Sequence, residues 1–370
     1  MSIELSFNPN RLKLARARRM LTMKALAESV GMTSRMISNY ENGRNDIPAD
    51  TMEKLAYVLG YPPAFFEGDD IEELDPDWVS FRSMKGMTAS QRDAALSAGS
   101  ISIMFSQWLE QRFQLPAANL YDLREFEPEA AARALREKWG LGEKAISNMI
   151  HLLESKGVRI YSLSENNIQV DAFSFWKNEK AFVFLNTFKS AERSRFDAAH
   201  ELGHLVLHKH GGPRGREVEQ EADRFASAFL MPEGSVKANA PRFAALSNLI
   251  KLKKLWLVSL AALVRRLKDL GLITEWQYRN LTIEMSKKKM LRNEPEGIDR
   301  ESSLILGKVF NALRADGVTK SRIAKELQIP ESEIEQLTFG LAFVGSTVNR
   351  YNTVQSVPTK SRKPSLTLVD

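Results

Sequence analysis

Cysteine is absent from all 370 residues, which excludes disulfide bonds and any metal site built from thiolates. No stretch of about eighteen apolar residues occurs either, so the sequence predicts no membrane span. The first residues have no apolar segment behind their basic side chains, so we expect no secretory signal. Neither sign of charge is in large excess, since the net charge is +6 and the isoelectric point is about 9.3. These absences favour a cytoplasmic protein, and the mild basicity is compatible with nucleic-acid binding without indicating it.

Histidine is scarce, with five in the chain, and four of the five fall between residues 200 and 210. His200 and His204 are four residues apart, and on a helix this spacing places both imidazoles on one face. Glu201 follows the first histidine directly, and the order His-Glu-x-x-His is the pattern of zinc peptidases. Zinc binds neutral imidazole nitrogens, and a carboxylate beside its water can accept a proton. The stretch therefore predicts a helix on which two histidines bind Zn²⁺ and Glu201 is the general base.

The same stretch has a plainer interpretation, in which a buried helix carries histidines that only make hydrogen bonds within the core. Gly203 weakens a helix by about 1 kcal/mol relative to alanine, and in a site helix it would make room for a substrate backbone. His208 and His210 follow at the end of the predicted helix, where the helix dipole favours a cation. We expect neither of them to bind the metal.

A second helix is predicted after the histidines, in the run EVEQEADRFASAFLMP. Glu219 and Asp223 are four residues apart on a face whose other members are small alanines, so this face can approach another helix closely. We predict Glu219 as the third metal ligand, with Glu221 as the alternative. Asp223 is placed to hydrogen-bond a ligating histidine and fix its tautomer. The competing interpretation is an acidic surface turn at a helix N-terminus, where the dipole favours carboxylates.

The first predicted unit covers residues 8–66 and consists of short helices. Thr22 and Thr33 are placed to cap two of them, and Gly31 lies between them as a helix stop. Two helices around a short glycine-containing turn are typical of a helix-turn-helix. The run LAESVGMTSRMISNYENGRNDIPADTMEKLAYVLG resembles the Xre, or lambda-repressor-like, family of DNA-binding domains. A helical bundle that docks other proteins is the alternative.

The Xre resemblance implies that the third helix enters the major groove of double-stranded DNA with its N-terminal residues forward. The side chains then expected to face DNA are Ser34, Arg35, Ser38 and Asn39. Arginine suits guanine and asparagine suits adenine by donor and acceptor geometry. Arg44 and Arg11 are expected near phosphates. The apolar stripe of the same helix is predicted to be Met36, Ile37 and Tyr40.

Ahead of the histidine helix the periodicity changes from helical to alternating. VRIYSL, QVDAFSFW and KAFVFLN predict three strands, and strands leading into a helix make an α+β layout. A sheet edge beside the metal would suit a peptide substrate, which can add to the sheet as an extra strand. The sequence leaves open which strand forms that edge.

Three runs, RFDAAHELGHLVLH, EVEQEADRFASAFLMP and LKKLWLVSLAALVRRLKDLGLI, resemble the ImmA/IrrE family of metallopeptidases in order and spacing, over residues 150–296. The resemblance implies a zinc-dependent endopeptidase that inactivates a helix-turn-helix repressor by cutting it. By the family's motif, His200 and His204 correspond to metal ligands. Glu201 corresponds to the catalytic glutamate, and Glu219 corresponds to the third ligand.

The predicted fold is multidomain and mainly α, with an N-terminal all-α helix-turn-helix bundle and an α+β, zincin-like peptidase domain. The expected order is a helix-turn-helix DNA-binding domain at 8–66, a helical connector at 67–149, the peptidase domain at 150–285, a linker at 286–300, a helical, helix-turn-helix-like region at 301–345 and a disordered tail at 346–370. The acidic run EGDDIEELDPD in the connector is expected to be solvated. In the C-terminal helical region the second helix carries ESEIEQ, which favours protein contact over phosphate.

These features predict a DNA-binding, zinc-dependent endopeptidase that regulates transcription by cleaving a helix-turn-helix repressor. Its expected partners are double-stranded DNA and a protein substrate; no membrane is expected, and a homodimer is left open. One alternative is a transcriptional regulator whose peptidase domain senses or binds a partner without turnover. Another is an antitoxin-like protein with a vestigial metal site. The intact Glu201 argues against binding alone, since a binding domain has no need of a base there.

Overall fold

The computed structural model describes residues 7–81, 87–163, 171–209 and 215–342. His210 and the tail expected at 346–370 lie outside the described residues. The described part of the chain is mainly helical and contains one four-stranded sheet, which confirms the predicted mainly α fold with an α+β unit. Within the described ranges, no helix has both the length and the apolar content needed to cross a membrane.

The secondary structure follows the chain in three sections: a helical bundle, a mixed section around the sheet, and a helical C-terminal section. The helices are α1 Pro9–Arg18, α2 Met23–Ser29, α3 Ser34–Glu41, α4 Ala49–Leu59, α5 Ala89–Glu110, α6 Pro128–Lys138, α7 Met149–Ser155, α8 Ala191–Leu207, α9 Arg216–Leu230, α10 Glu233–Asn239, α11 Leu246–Leu252, α12 Leu260–Asp269, α13 Glu275–Lys287, α14 Leu304–Ala315, α15 Lys320–Glu326 and α16 Glu331–Thr338. The strands are β1 Val79–Phe81, β2 Val158–Ser162, β3 Ala172–Lys177 and β4 Lys180–Leu185.

The helix-turn-helix is built as its cap residues predict. Thr22 accepts a hydrogen bond from the Ala25 N–H at 3.0 Å, and Thr33 accepts one from the Met36 N–H at 3.3 Å. Gly31 has φ of +70°, a left-handed conformation in which glycine carries no side-chain penalty. Because the caps and the turn are satisfied locally, α2 and α3 are held relative to each other by their own residues.

Arg11 is a structural residue of this bundle, so its predicted phosphate contact is wrong. Its side chain is buried, and its guanidinium donates to the Asp69 carbonyl at 2.7 Å and to the Phe65 carbonyl at 3.0 Å. The guanidinium also lies 4.9 Å from the centre of the Phe65 ring. Burial lowers the pKa of Arg11 below its usual value. The group therefore fastens the bundle to the chain that leaves it.

The sheet has the strand order β1-β3-β4-β2, in which β3 is antiparallel to both its neighbours and β4 is parallel to β2. The three predicted strands are β2, β3 and β4. The fourth strand, β1, comes from the section expected to be a purely helical connector. A strand of three residues is too short to show alternation in the sequence, so nothing local predicted it.

The acidic run that precedes β1 keeps most of its carboxylates exposed, as predicted, but its apolar residues pack against the protein, so it is not a free linker. Ile71 and Leu74 within it are each 8% exposed. Gly99 of α5 makes room for this segment, since a Cβ at that position would overlap the Leu74 side chain. Glu72 pairs with Lys177 of β3 at 2.8 Å. The two apolar side chains point inward between the acidic ones, so the segment lies along the surface. We call residues 67–77 the strap.

The two faces of β3 have different partners. One face is aromatic: Phe173 stacks on Phe184 with ring centres 4.4 Å apart, and Phe175 stacks on Phe182 at 4.8 Å. The other face carries Ser174 and Trp176 and is turned toward α8, where the indole N–H of Trp176 donates to a backbone carbonyl at 3.0 Å. This alternation fixes the sheet as a platform under α8.

The segment after α13 is fastened to the chain around α11 and α12, although the sequence indicated a linker there. Glu294 accepts a hydrogen bond from the Leu260 N–H at 2.8 Å and pairs at 3.1 Å with Lys253, whose side chain is fully buried. Since a buried ammonium needs a compensating charge, Glu294 has a structural role that its charged sequence context concealed.

The last described helix, α16, docks on the helix-turn-helix bundle. Glu333 of the acidic helix α16 is fully buried, 2.8 Å from Arg18 Nε and 2.7 Å from Arg19 Nη1. The hydroxyl of Tyr61 donates to the same carboxylate at 3.0 Å. The acidic helix therefore contacts protein, and the protein that it contacts is the N-terminal bundle of its own chain.

Candidate functional site

Gly203 lies at the contact between α8 and α9. A Cβ at this position would lie 3.1 Å from Phe225 Cδ1 and 3.3 Å from the Ala222 Cα. The missing side chain therefore makes room for α9, and the expected role of making room for a substrate backbone is wrong. Because Ala222 is small as well, the two helices pack closely and the first turn of α9 lies beside the histidines of α8.

Three side chains form a group that could hold a metal ion: His200 and His204 of α8 and Glu219 of α9. The two Nε2 atoms of the histidines are 3.1 Å apart. His200 Nε2 lies 3.4 Å from Glu219 Oε2, and His204 Nε2 lies 3.4 Å from Glu219 Oε1. Both imidazoles are buried and the Glu219 side chain is 34% exposed, and the three donor atoms face one another.

The spacing of this group fits zinc. With metal–ligand bonds of about 2.0 Å, two ligand atoms of a tetrahedral zinc site lie about 3.3 Å apart. The three separations here, 3.1, 3.4 and 3.4 Å, are all close to that value. Two imidazoles and one carboxylate also leave a fourth position open, as catalytic zinc sites require.

The protonation states suit a metal ligand set as well. Burial lowers the pKa of His204 to about 4, so its imidazole is neutral at neutral pH. Burial on its own would raise the pKa of Glu219, but hydrogen bonds from His200 and His204 outweigh it and lower that pKa to about 2. Neutral imidazole and ionised carboxylate are the forms that bind zinc.

Asp223 lies on the far side of the His200 ring, 2.8 Å from Nδ1. Asp223 is one helical turn beyond Glu219, so the same face of α9 reaches both the metal-facing and the outer nitrogen of this ring. A carboxylate at Nδ1 holds the proton there and leaves the lone pair of Nε2 for the metal.

His204 is oriented by a pair of residues that the sequence did not connect. Its Nδ1 lies 3.0 Å from Nδ1 of His208, and His208 Nε2 lies 2.9 Å from Glu221 Oε2. His208 caps the end of α8 and Glu221 points toward it, so neither is in the group of three. The four-residue spacing from His204 to His208 was a usable signal, since it places the second ring over the first.

Glu201 follows His200 in the sequence and is fully buried. A residue of the sheet holds its carboxylate. The Ser174 hydroxyl of β3 donates to Glu201 Oε2 at 2.6 Å. Ser174 was missed by the sequence reasoning, which treated this strand only as scaffold. The hydrogen bond fixes the carboxylate between β3 and α8, the helix that carries the two histidines.

A groove of 930 Å³ lies on the Asp223 side of the His200 ring, and its lining includes residues of α6, α8, α9 and α12. Asp223 forms part of its wall, so the groove reaches the hydrogen-bond partner of His200. Arg265 and Arg266 of α12 and Asp197 of α8 line it as well. The groove thus presents charges of both signs behind His200, and its lining includes neither the three candidate ligands nor Glu201.

The residues expected to face DNA lie on the accessible part of the bundle. Ser34 and Arg35 at the start of α3 and Arg44 after it are exposed, while Ser38 and Asn39 are half-buried. The inward face is formed by Ile37 and Tyr40. Met36 was predicted to share that face but is 39% exposed, because it belongs to the first turn of α3, where Ser34 and Arg35 are exposed as well.

Family sequence profiles match the two halves of this arrangement. The IrrE N-terminal-like domain of the M78 peptidases matches residues 153–268, which include the three candidate ligands and Glu201. A helix-turn-helix family matches residues 12–66. A comparison with curated proteins gave no match. The chain therefore carries a helix-turn-helix domain of the DNA-binding type, followed by an IrrE-like domain of the M78 metallopeptidase family.

Proposed function

We propose that this protein is a DNA-binding, zinc-dependent endopeptidase that regulates transcription by cleaving a helix-turn-helix repressor. The observation that carries the proposal is the triangle of His200, His204 and Glu219, with a buried glutamate directly after the first ligand. A domain that only binds a partner has no need of that glutamate. The exposed start of α3 supports double-stranded DNA as the second partner, and the cytoplasm is where DNA and repressor meet.

The residues around the triangle divide the work of hydrolysis. When held by His200, His204 and Glu219, zinc supplies a Lewis acid that polarises a peptide carbonyl and acidifies water. The Glu201 carboxylate accepts the proton of the attacking water and returns it to the leaving amine. Ser174 keeps that carboxylate in place throughout, because its hydroxyl donates to Oε2.

The test is cleavage of defined repressors. The purified full chain, loaded with one equivalent of zinc, is incubated with helix-turn-helix repressors encoded near its own gene, and the products are read by mass spectrometry. We expect a single cut that a chelator prevents and added zinc restores. Repressors that remain intact, in the presence of zinc-loaded protein that binds them, would favour the alternative of a sensor without turnover.

The two glutamates of α9 give the first mutational prediction. Glu219→Ala should remove most of the bound zinc, since two histidines alone do not hold the ion tightly. Glu221→Ala acts only through His208, so it should keep one zinc per chain while weakening affinity by about ten- to hundredfold. Zinc content after dialysis and competition with a fluorescent chelator measure the two effects. Loss of zinc in the Glu221 variant alone would reverse the assignment.

The exposed face of α3 gives the second prediction. Arg35→Ala and Asn39→Ala should each weaken specific DNA binding by about ten- to hundredfold, because each removes a contact to a base. Ile37 and Tyr40 hold the inward face of the helix, so folding should be nearly unchanged. Binding to an operator and to unrelated DNA, measured by fluorescence anisotropy, separates base contacts from phosphate contacts.

Arg44→Ala is the matched comparison, because it should weaken binding to all sequences and reduce the salt dependence by about one phosphate contact. Cleavage of a free substrate should be unchanged in all three variants. If the wild-type chain bound no DNA even at low salt, the bundle would instead be a protein-docking module.

A further inference from the structure

The strand β1 pairs with the outer edge of β3, and β3 is the strand that packs under α8. Ser174 of β3 holds Glu201, and Trp176 of the same strand donates to the Leu205 carbonyl. With β1 removed, β3 would be an open edge of the sheet, directly beside the proposed general base. An open edge of this kind is where an extended peptide adds to a sheet.

The register shows which side chain of β1 lies on the face of the sheet toward α8. Ser80 lies opposite Ser174, and residues directly opposite in an antiparallel pair have their side chains on the same face. Ser174 faces Glu201, so Ser80 is turned toward the same helix. The backbone of β1 therefore occupies the edge of β3 at the residue that holds Glu201.

β1 pairs with the sheet over only three residues, but the chain before it is held by further contacts. Three residue pairs join it to β3, from Val79 opposite Phe175 to Phe81 opposite Phe173. Val79 is 5% exposed, and the strap before it is fixed by buried Leu74 and by the ion pair of Glu72 with β3. A three-residue ladder can be displaced by a longer strand without loss of the strap.

We propose that residues 79–81 are an intramolecular occupant of the peptide-binding edge, and that the substrates of this domain are extended polypeptide segments that pair with β3 in its place. The role of this edge in substrate binding rests on the proposed peptidase function. The occupancy of the edge, however, can be measured by binding alone.

Occupancy of the edge lowers the apparent affinity for any competing strand. If β1 leaves β3 in no more than about 10% of molecules, a peptide binds at least about tenfold more weakly than it would to a vacant edge. The natural competitor is the sequence of β1 itself. A fluorescein-labelled peptide PDWVSFR, copied from residues 76–82, is therefore a defined probe.

The release variant is Val79→Asp, which places a carboxylate at a buried position of β1 and should detach the strand. Asp77→Asn is its matched control, because Asp77 is exposed and lies outside the ladder. We expect the probe to bind Val79→Asp at least about tenfold more tightly than the wild type or the control. Equal binding to all three proteins, or to none of them, would overturn the proposal.

A reversible lock tests the same point in a protein that keeps its strand. Opposed residues of antiparallel strands have Cα atoms about 4.5–5.5 Å apart, within the range that a disulfide spans. The chain has no cysteine, so the double variant Val79→Cys with Phe175→Cys can form only this disulfide. The oxidised form should bind no probe, and reduction of the same sample should restore binding at least to the wild-type level. Probe binding unaffected by oxidation would contradict the proposal.

Cleavage of a repressor then separates the two levels of inference. If the wild type cleaves and Val79→Asp cleaves faster, the peptidase activity and the occupied edge are both supported. If the two proteins cleave equally and bind the probe equally, only the occupancy of the edge fails. If no variant cleaves while the probe still distinguishes released from locked protein, the proposed peptidase activity fails and the occupied edge stands.

Discussion

Glu201→Gln is expected to stop hydrolysis while zinc stays bound. Glutamine keeps the size of the side chain and can still accept a hydrogen bond from Ser174, but it cannot take a proton from water. Loss of a positioned general base lowers the rate by about 10²- to 10⁴-fold. The ligand group does not include Glu201, so zinc stoichiometry should remain that of the wild type.

The matched control is Glu217→Gln, the same chemical change on an exposed residue of the first turn of α9. It should leave both the cleavage rate and the zinc content unchanged. The measurement is the single-turnover rate with zinc-saturated enzyme, which excludes differences in metal loading. A Glu201→Gln enzyme that cleaved at the wild-type rate would remove Glu201 from the mechanism, whatever its position.

Local spacing explains why much of the ligand group could be proposed from sequence. The four-residue separation of His200 and His204 determines their common face as soon as the stretch is helical. Glu219 and Asp223 follow from the same rule on α9. What brings the two helices together is also local in part, because Gly203 and the small residues of α9 are visible in the sequence.

The partners that orient these groups could not be proposed in the same way, because they are distant in the chain. Ser174 and Glu201 are brought together only by the packing of α8 on β3. The strand β1 is joined to β3 across more than ninety residues, and three residues carry no periodicity of their own. Glu221 was considered as a ligand because the helix direction alone did not show that it meets His208.

Charged residues were the least predictable, because their burial depends on the tertiary fold. Arg11 was assigned to phosphate from its charge and is instead buried against Phe65. The acidic run before β1 contains two inward apolar side chains that its carboxylates obscured. Glu333 is the clearest case, since protein contact was predicted for its acidic helix, but the sequence did not show that the partner is the N-terminal bundle or that this carboxylate has no exposure at all.

The second large effect concerns that carboxylate. Glu333→Ala should destabilise the protein by about 3–5 kcal/mol, because it leaves the buried Arg18 guanidinium without its counter-charge. Arg19 and Tyr61 lose the same partner. The junction of the bundle with α16 should open first, and hydrogen exchange in α1 and α16 should report it alongside the urea midpoint.

Glu335→Ala is the matched control on the same helix. Its carboxylate is 55% exposed and pairs with Lys320 at 3.3 Å, so its removal should change stability by no more than about 1 kcal/mol. Similar losses in the two variants would show that the buried cluster contributes no more than a surface pair, and the docking of α16 would then depend on its apolar residues.

Acid unfolding gives an independent check on the same cluster. Burial alone would raise the pKa of Glu333, but Arg18 and Arg19 outweigh it and hold that pKa below its usual value of 4.5. The unfolded chain therefore takes up the proton first as the pH falls. The contribution of Glu333 to stability should be complete above pH 4.5 and decline below it, as the pH approaches the lower pKa of the folded state. The difference in unfolding free energy between wild type and Glu333→Ala should accordingly be largest at neutral pH and shrink in acid; a difference that stayed constant down to the acid transition would show that the carboxylate acts through packing and not through its charge.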